Sequence, residues 1–326
     1  TSMENAQKTI VVLAGGFSSE HHISVASGKT AYTAFLKAGF NTLFIVLTKE
    51  GFFNGEEKVH IGELQADYVF NCIHGTPGED GHMSGFLNVL QLPHSTCDTF
   101  ESALTFNKAQ CNQLLRLGGF EVPKGQLFHA FPGVEAFESW HFPLFIKPNC
   151  SGSSFGVTKV EAAEALEAAF EYAQSEGGAV LVEEGISGTE VGCGVLSTAF
   201  DFEQGTTLEQ AHPQSIAITE IVPTEAGFFD YEAKYEGKSQ EITPARISAE
   251  LDQKIKQLST EVYRYLNLRG IIRIDYIITS AGTPVLIEVN SIPGLSPASI
   301  VPQQLQHRGW SLSKVLESMV HEALAQ

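Results

Sequence analysis

The chain has 326 residues, which at about 150 residues per domain corresponds to two domains or three small ones. Hydrophobic residues make up 43% and charged residues 18%, so the composition is that of a globular protein and excludes collagen-like and disordered classes. The 20 basic and 38 acidic side chains give a net charge of −18, which repels phosphate backbones and anionic lipid. We therefore expect neither a nucleic-acid partner nor a membrane partner.

The cysteines are odd in number, widely spread and without a C-x-x-C pair. They are Cys72, Cys97, Cys111, Cys150 and Cys193. The N-terminus lacks the basic and apolar regions of a signal peptide, and no apolar run reaches the roughly 18 residues of a spanning helix. These features predict a reduced, cytoplasmic protein.

The first hundred residues alternate short apolar runs with helical patterns. Residues 9–14, 40–47 and 68–73 read as strands, and residues 23–37 read as a helix that stops before Gly39. This alternation is typical of βαβ units with a parallel sheet.

The next block is predicted to be α+β. A helical pattern ends at Gly118-Gly119, strands are predicted over 142–147 and 179–184, and a helix is predicted near 161–174.

The last block starts at Ser248, which is a plausible N-cap. After it, apolar residues recur in steps of four and three, which predicts one buried helical face. These residues are Leu251, Ile255, Leu258, Val262 and Tyr265. Two apolar strands follow, and an amphipathic helix over 312–320 closes the chain.

Residues 223–245 show neither helical nor strand periodicity, so we predict a long loop. Loops of this length inside compact domains tend to be functional lids, and a disordered insertion is the alternative.

A hairpin near the C-terminus carries the strongest chemical signal. If residues 280–283 form its turn, Asp275 lies opposite Glu288 and Arg273 lies opposite Asn290. Paired carboxylates with an amide suit Mg²⁺ that is shared with substrate phosphates, and a solvated polar face is the alternative. Because like charges directly opposite are destabilising, we expect that removing either carboxylate leaves the fold intact, with at most a slight rise in stability.

Three further stretches are weaker signals. Lys147 ends a strand and enters a Ser/Gly turn over 149–156, which suits a phosphate or is an ordinary flexible turn. Glu20 follows Gly15 and Gly16 at the start of a helix, where a ligand can approach the backbone or the acid simply favours the helix dipole. Lys234-Tyr235 in the long loop is a lid contact or a solvated lysine beside a packing tyrosine.

Together, these stretches resemble the D-alanine–D-alanine ligases of the ATP-grasp superfamily over nearly the whole chain. The resemblance rests on residues 16–24 (GFSSEHHIS), 74–81 (HGTPGEDG), 104–108 (LTFNK), 145–148 (FIKP), 152–157 (GSSFGV), 183–190 (EEGISGTE), 232–235 (EAKY), 273–275 (RID) and 288–294 (EVNSIPG). Two positions depart from the usual pattern: the pair His21-His22, and Gly185 where a bulky residue often packs near adenine.

The resemblance implies a three-domain fold of α/β and α+β type. It places an N-terminal βαβ (preATP-grasp) domain at 1–103, a central ATP-grasp subdomain at 104–190, and a C-terminal ATP-grasp domain at 191–326 with the lid loop 223–245. A homodimer is also implied.

Site roles follow from the same resemblance. The implied ATP contacts are Lys108, Lys147, Ser153, Ser154, Glu183, Ile186, Glu190 and Lys234. The implied ligands of two Mg²⁺ ions, with Mn²⁺ as a possible substitute, are Asp275, Glu288 and Asn290. The implied catalytic set is Glu20, Ser153, Tyr235, Arg273 and Gly294. The implied D-alanine contacts are Glu20, His74, Arg273 and Ser299.

The implied reaction is ATP-dependent ligation of two D-alanine molecules for peptidoglycan precursor synthesis. It passes through D-alanyl phosphate and releases ADP and phosphate. The alternatives are another ATP-grasp carboxylate–amine ligase with a different acceptor, and a catalytically silent nucleotide-binding protein.

Overall fold

A computed structural model of the chain describes residues 2–152, 154–223 and 239–326. The described part contains three sheets with helices packed against them. No helix in these ranges is long and apolar enough to cross a membrane. All five cysteines are free thiols.

The N-terminal sheet has the strand order β4-β3-β2-β1-β5. Its strands are β1 (Thr9–Gly15), β2 (Asn41–Thr48), β3 (Gly51–Asn54), β4 (Glu57–Val59) and β5 (Tyr68–Asn71). The helices of this region are α1 (Ser2–Asn5), α2 (His21–Lys37) and α3 (His82–Val89). Strand β1 pairs in parallel with both β2 and β5, which confirms the predicted βαβ arrangement. The antiparallel additions β3 and β4 were not predicted.

The central sheet is antiparallel with the order β6-β9-β7-β8. Its strands are β6 (Gly125–Phe128), β7 (Leu144–Pro148), β8 (Thr158–Val160) and β9 (Val180–Glu184). The nearby helices are α4 (Thr99–Phe106), α5 (Lys108–Leu117) and α6 (Leu166–Ser175). The predicted helix near 161–174 is in part wrong, because it begins as a 3₁₀ turn at Ala163–Ala165 and becomes α-helical only at Leu166.

The C-terminal sheet is antiparallel with the order β12-β11-β10-β13-β14. Its strands are β10 (Thr189–Asp201), β11 (Thr206–Val222), β12 (Gln240–Ile242), β13 (Ile272–Ile278) and β14 (Pro284–Asn290). The helices are α7 (Ala249–Tyr265), α8 (Ile300–Arg308) and α9 (Leu312–Leu324). Ser248 caps α7 as predicted, since its side chain accepts the Leu251 N–H.

Two predictions for this region are wrong. The loop predicted over 223–245 contains strand β12 in its described part, where β12 pairs with the end of β11, while residues 224–238 lie outside the described residues. The predicted buried stripe of α7 fails at Tyr265, which is 39% exposed. Besides the predicted Ile255 and Val262, the helix buries Ser259 and Tyr263, and it packs against β10 and β11.

The cores cross the predicted domain boundaries. Apolar side chains of α2 and β1 share a cluster with Trp310 and the buried face of α9. Leu115 of α5 packs with residues of β10, β13 and β14. The three-domain division therefore stays a prediction, and the shared cores fix the sheets relative to one another.

Candidate active site

A cleft of about 700 Å³ lies between the central and C-terminal sheets. The sequence-predicted nucleotide contacts that line it are Lys108, Lys147, Ser154, Glu183, Ile186 and Glu190. The predicted contacts Ser153, Lys234 and Tyr235 lie outside the described residues. The structure thus brings six residues from well-separated parts of the chain to one cleft large enough for a small-molecule ligand.

Lys147 lies in the cleft as one half of a buried ion pair. Its Nζ is 2.6 Å from Oε1 of Glu183 on the neighbouring strand β9, and Asn112 Nδ2 donates to the other oxygen of Glu183 at 3.1 Å. Burial is the largest single influence and lowers the pKa of Lys147, but the carboxylates of Glu183, Glu288 and Glu190 together raise that pKa above its usual value, with Glu183 contributing most. Glu183 therefore keeps a charged ammonium fixed in the cleft.

Lys108 is the first residue of α5, which aims its side chain at the same cleft. The helix start is held by Asn107, whose side chain accepts the Gln110 N–H, and by Asn149, whose Oδ1 accepts the Ala109 N–H at 2.9 Å. Lys108 Nζ contacts the Ser151 carbonyl and lies 4.0 Å from a Glu288 carboxylate oxygen. These contacts join the Ser/Gly turn over 149–156 to the start of α5.

The β13/β14 hairpin crosses the floor of the site in the predicted register. Asp275 lies opposite Glu288 and Arg273 lies opposite Asn290. Arg273 offsets the charge of these paired carboxylates, because its Nε and Nη2 donate to the two Asp275 oxygens at 2.9 and 3.0 Å. Both side chains are at most 10% exposed, so this is a buried bidentate ion pair.

The turn of this hairpin differs from the prediction. Ile278, not Thr279, lies opposite Pro284, so five residues rather than four connect the strands. A β-bulge at Ile287 absorbs the extra residue and restores the register at Glu288. Because of the bulge, Ile287 and Glu288 both line the large cleft although they are sequence neighbours.

The hairpin carboxylates fit a divalent cation. Each Asp275 oxygen accepts one N–H from Arg273 and retains a second lone pair. Among the residues that the structure describes, no group of three or more His, Cys, Asp or Glu side chains forms a complete cage. Asp275, Glu288 and Asn290 therefore suit a cation such as Mg²⁺, which takes few protein ligands and shares the oxygens of bound phosphates.

A second cavity of about 290 Å³ adjoins the hairpin on the side of Arg273. The sequence-predicted residues that line it are Glu20, His74, Arg273, Asn290, Gly294 and Ser299. They come from the predicted N-terminal and C-terminal domains, and Gly152 of the predicted central subdomain also lines the cavity. Arg273 and Asn290 face this cavity, while Asp275 and Glu288 face the large cleft, so the hairpin connects the two spaces.

His74 holds the walls of the small cavity together. Its Nδ1 is 2.8 Å from the Ile292 carbonyl and its Nε2 is 3.2 Å from Ser27 Oγ. Since a carbonyl only accepts, Nδ1 carries a proton and donates to Ile292, while Nε2 and Ser27 Oγ share a second hydrogen bond. Ser27 Oγ in turn accepts the Leu295 N–H at 2.9 Å, which fixes the backbone beside Gly294 against α2.

Glu79 is a cavity residue for which the sequence predicted no role, although it lies in the quoted 74–81 motif. Its Oε1 accepts the Gly75 N–H at 2.9 Å. Burial, and next the Glu20 carboxylate, raise the pKa of Glu79 from 4.5 to about 8. A Cβ on Gly152 would lie 3.1 Å from both Glu20 Oε1 and Glu79 Oε1, so only glycine leaves both carboxyl groups unobstructed there.

Ser299 is the N-cap position of α8, but its side chain does not cap the helix. Its Oγ instead lies 2.7 Å from Ser296 Oγ at the cavity wall. The third helical residue is Pro302, so Ile300 and Val301 supply the first-turn N–H groups. A helix start of this kind attracts a carboxylate.

Glu241 and Gln303 also line the small cavity, and sequence reasoning missed both. Glu241 lies in the segment 223–245, for which the sequence predicts a long loop. Gln303 lies one helical turn beyond Ser299, a spacing that could have pointed to it.

Two antiparallel sheets enclose a cleft lined by Lys108 and Lys147, and a βαβ layer completes a second cavity. This arrangement defines the ATP-grasp class, and solved ligase structures share the fold. Residues 131–321 match the family model described as the D-ala D-ala ligase C-terminus. The chain belongs to the D-alanine–D-alanine ligase family.

Individual relatives agree over nearly the full length. The D-alanine–D-alanine ligase of Flavobacterium johnsoniae is 37% identical over 98% of this chain and 100% of its own. The VanG D-Ala:D-Ser ligase from Enterococcus faecalis has a TM-score of 0.83 at 30% identity, with 97% of this chain and 99% of that chain covered. The D-alanyl-alanine synthetase A of Vibrio cholerae has a TM-score of 0.84 at 26% identity, covering 98% and 99%.

Proposed function

We propose that this protein joins two D-alanine molecules at the expense of ATP and releases ADP and phosphate. The observation that carries the proposal is the β13/β14 hairpin, which sets Asp275 and Glu288 in a nucleotide-sized cleft and Arg273 and Asn290 in an adjoining amino-acid-sized cavity. A phosphorylated donor formed at this boundary meets an acceptor without leaving the protein.

The first step is attack of the donor D-alanine carboxylate on the γ-phosphorus of ATP. Lys108 and Lys147 neutralise charge on the phosphates, which is the main catalytic contribution in phosphoryl transfer. We assign Lys234 to the same task. Glu190 holds the ribose, and Ile186 with the backbone beside Glu183 forms the adenine wall.

Mg²⁺ held by Asp275, Glu288 and Asn290 would supply Lewis-acid stabilisation of phosphate charge. We propose two such ions, with Mn²⁺ as a substitute.

The second step takes place in the small cavity. Glu20 holds the donor ammonium, while Ser299 and the start of α8 hold the acceptor carboxylate. The acceptor amine attacks the acyl carbon, and the Arg273 guanidinium with the Gly294 N–H stabilises the oxyanion that forms. Phosphate then leaves with the electrons of the broken C–O bond and takes up the proton that the attacking nitrogen releases. His74 keeps the Gly294 segment in place through Ser27.

Water must be kept out, because the acyl phosphate hydrolyses readily. We assign this to a lid over 223–245 that carries Lys234 and Tyr235. Glu20, Ser153 and Tyr235 would close the lid over the donor. The lid's described stem, β12, already reaches the wall of the small cavity through Glu241.

The test is a phosphate-release assay with ATP, Mg²⁺ and either D-alanine or L-alanine, with chromatography of the product. We expect D-alanine-dependent release of ADP and phosphate together with the dipeptide. Equal turnover with L-alanine, or cleavage of ATP to AMP, would contradict the proposal. The resemblance also leads us to propose a cytoplasmic homodimer that contributes to peptidoglycan precursors, and light scattering of the purified protein tests the dimer.

A further inference from the structure

The small cavity has a marked excess of acidic side chains. Among the described residues that line it, three are glutamates, Glu20, Glu79 and Glu241, whereas Arg273 is an arginine already paired with Asp275. Two zwitterionic amino acids bring two ammonium groups into this space. The donor ammonium is assigned to Glu20, so the acceptor ammonium needs a second carboxylate.

Glu79 does not suit that task. It is 5% exposed, its Oε1 already accepts the Gly75 N–H, and it lies with Glu20 beside Gly152 on the donor side. With its pKa raised to about 8, Glu79 is protonated at neutral pH and offers an ammonium no charge.

Glu241 belongs to a different wall. It comes from β12, and its Oε2 accepts a hydrogen bond from Gln303 Nε2 at 2.6 Å. The same nitrogen donates to the Ala298 carbonyl at 2.8 Å. Ala298 directly precedes Ser299, so these bonds hold the Glu241 carboxylate beside the start of α8.

The small cavity therefore has two opposite poles on its acceptor side. The start of α8 with Ser299 favours a carboxylate, and Glu241 favours a cation. An α-amino acid carries these two charges on one carbon and fits both poles, whereas a 2-hydroxy acid fits only the first.

We propose that Glu241 binds the ammonium group of the acceptor amino acid, and that Gln303 is the residue that positions Glu241. This inference rests on the proposed function and adds the group that selects an amine acceptor over a hydroxy acid. Gln303 acts only through Glu241 and touches no reacting atom.

The experiment compares Glu241→Gln with wild type in the full-length protein. The substitution removes the charge and keeps the shape and a hydrogen-bonding partner for Gln303. Dipeptide formation against D-alanine concentration gives the acceptor KM. Positional isotope exchange in ATP labelled at its β–γ bridge oxygen is measured at D-alanine concentrations well below the acceptor KM, where it needs only the donor and reports the first site separately.

We expect the acceptor KM to rise about tenfold or more, as for loss of one charge-assisted hydrogen bond, while isotope exchange stays within about twofold of wild type. In mixtures of D-alanine and D-lactate, the peptide-to-ester ratio should fall by a similar factor. Gln303→Leu should shift both quantities in the same direction by less, and it tests the inference even if Glu241→Gln folds poorly. Glu171→Gln, an exposed carboxylate on α6, is the matched control and should change neither.

The outcomes separate the two proposals. An unchanged acceptor KM in Glu241→Gln, or isotope exchange that falls as much as dipeptide formation, would overturn the role of Glu241 while the ligase activity stands. A wild-type protein that forms no dipeptide would overturn the proposed function and this inference with it.

Discussion

Replacing Asp275 by alanine tests how the hairpin is built. The sequence alone predicts that the variant keeps its stability, because a like charge opposite Glu288 is removed. The structure reverses that expectation. Asp275 is 7% exposed and Arg273 is 5% exposed, and two hydrogen bonds join them. The substitution removes both hydrogen bonds and the paired charge of this carboxylate from a buried guanidinium, which costs about 3 to 5 kcal/mol of unfolding free energy.

Glu288→Ala is the matched comparison. Its carboxylate is 25% exposed, and Lys108 Nζ is 4.0 Å away, so this pair is looser and partly solvated. We expect a change in stability of at most about 1 kcal/mol. Both variants should lose most ligase activity, because each removes a proposed metal ligand.

Urea unfolding measures the difference. The chain has two tryptophans, so a Trp140→Phe background leaves Trp310, which packs against Phe202 just beyond β10, as the fluorescence reporter for the last sheet. In a double variant, Arg273→Met with Asp275→Leu, stability should recover while activity does not. Equal stability loss in Asp275→Ala and Glu288→Ala, or a loss below about 1 kcal/mol in the former, would refute the reasoning.

Three further changes have defined outcomes. Glu79→Gln should flatten the pH dependence of stability. In the wild type, the folded state binds a proton at Glu79 that the unfolded state releases between about pH 4.5 and 8, so stability falls as the pH rises through that window. Urea midpoints at several pH values check this. Lys147→Met should destabilise the protein by about 3 kcal/mol or more by leaving Glu183 buried and unpaired, and calorimetry should show partial recovery when Glu183→Leu is added. Gly294→Ala should raise the acceptor KM with little loss of stability, because its Cβ would lie 2.8 Å from Ser299 Oγ and force that hydroxyl to rotate; steady-state kinetics and thermal melting decide it.

Local sequence patterns predicted the helices and strands that bury one face against the core. The βαβ start, the Ser248 cap and the C-terminal helix all follow from apolar spacing and capping chemistry. The hairpin register was also correct at Asp275 and Glu288, although the predicted turn was one residue too short. The bulge at Ile287 compensates for the extra turn residue. The pairing of Asp275 with Glu288 therefore matches the prediction, but for a reason that the sequence does not show.

The longest strands escaped prediction because their environment changes along their length. Strand β11 is exposed over its first half and buried over its second, and it contains Pro213. Among the described strands only β10 pairs with β11 at that position, since β12 reaches residues 220–222 alone. A proline is tolerated at such an edge, yet in the sequence it interrupts any strand pattern.

The acceptor side of the site shows a different limit. Glu241 and Gln303 come from distant segments, and nothing in the sequence around Glu241 shows that the two share a cavity. Their proximity arises only when β12 and α8 pack together beside the hairpin. Resemblance identified the residues within recognised motifs and passed over those between them.

The bulge at Ile287 has a practical consequence for labelling the protein. The bulge divides the hairpin into a part that carries Asp275 and Glu288 and a part that ends in the turn. At the turn, Ser280 and Ala281 are exposed. An insertion at the turn alters the strand pairing only between the turn and the bulge. The pairing at Asp275 and Glu288 lies on the other side of the bulge. A short peptide tag or a fluorophore-bearing cysteine at this turn would therefore attach a probe to the last sheet without displacing the carboxylates, and would suit distance measurements during turnover.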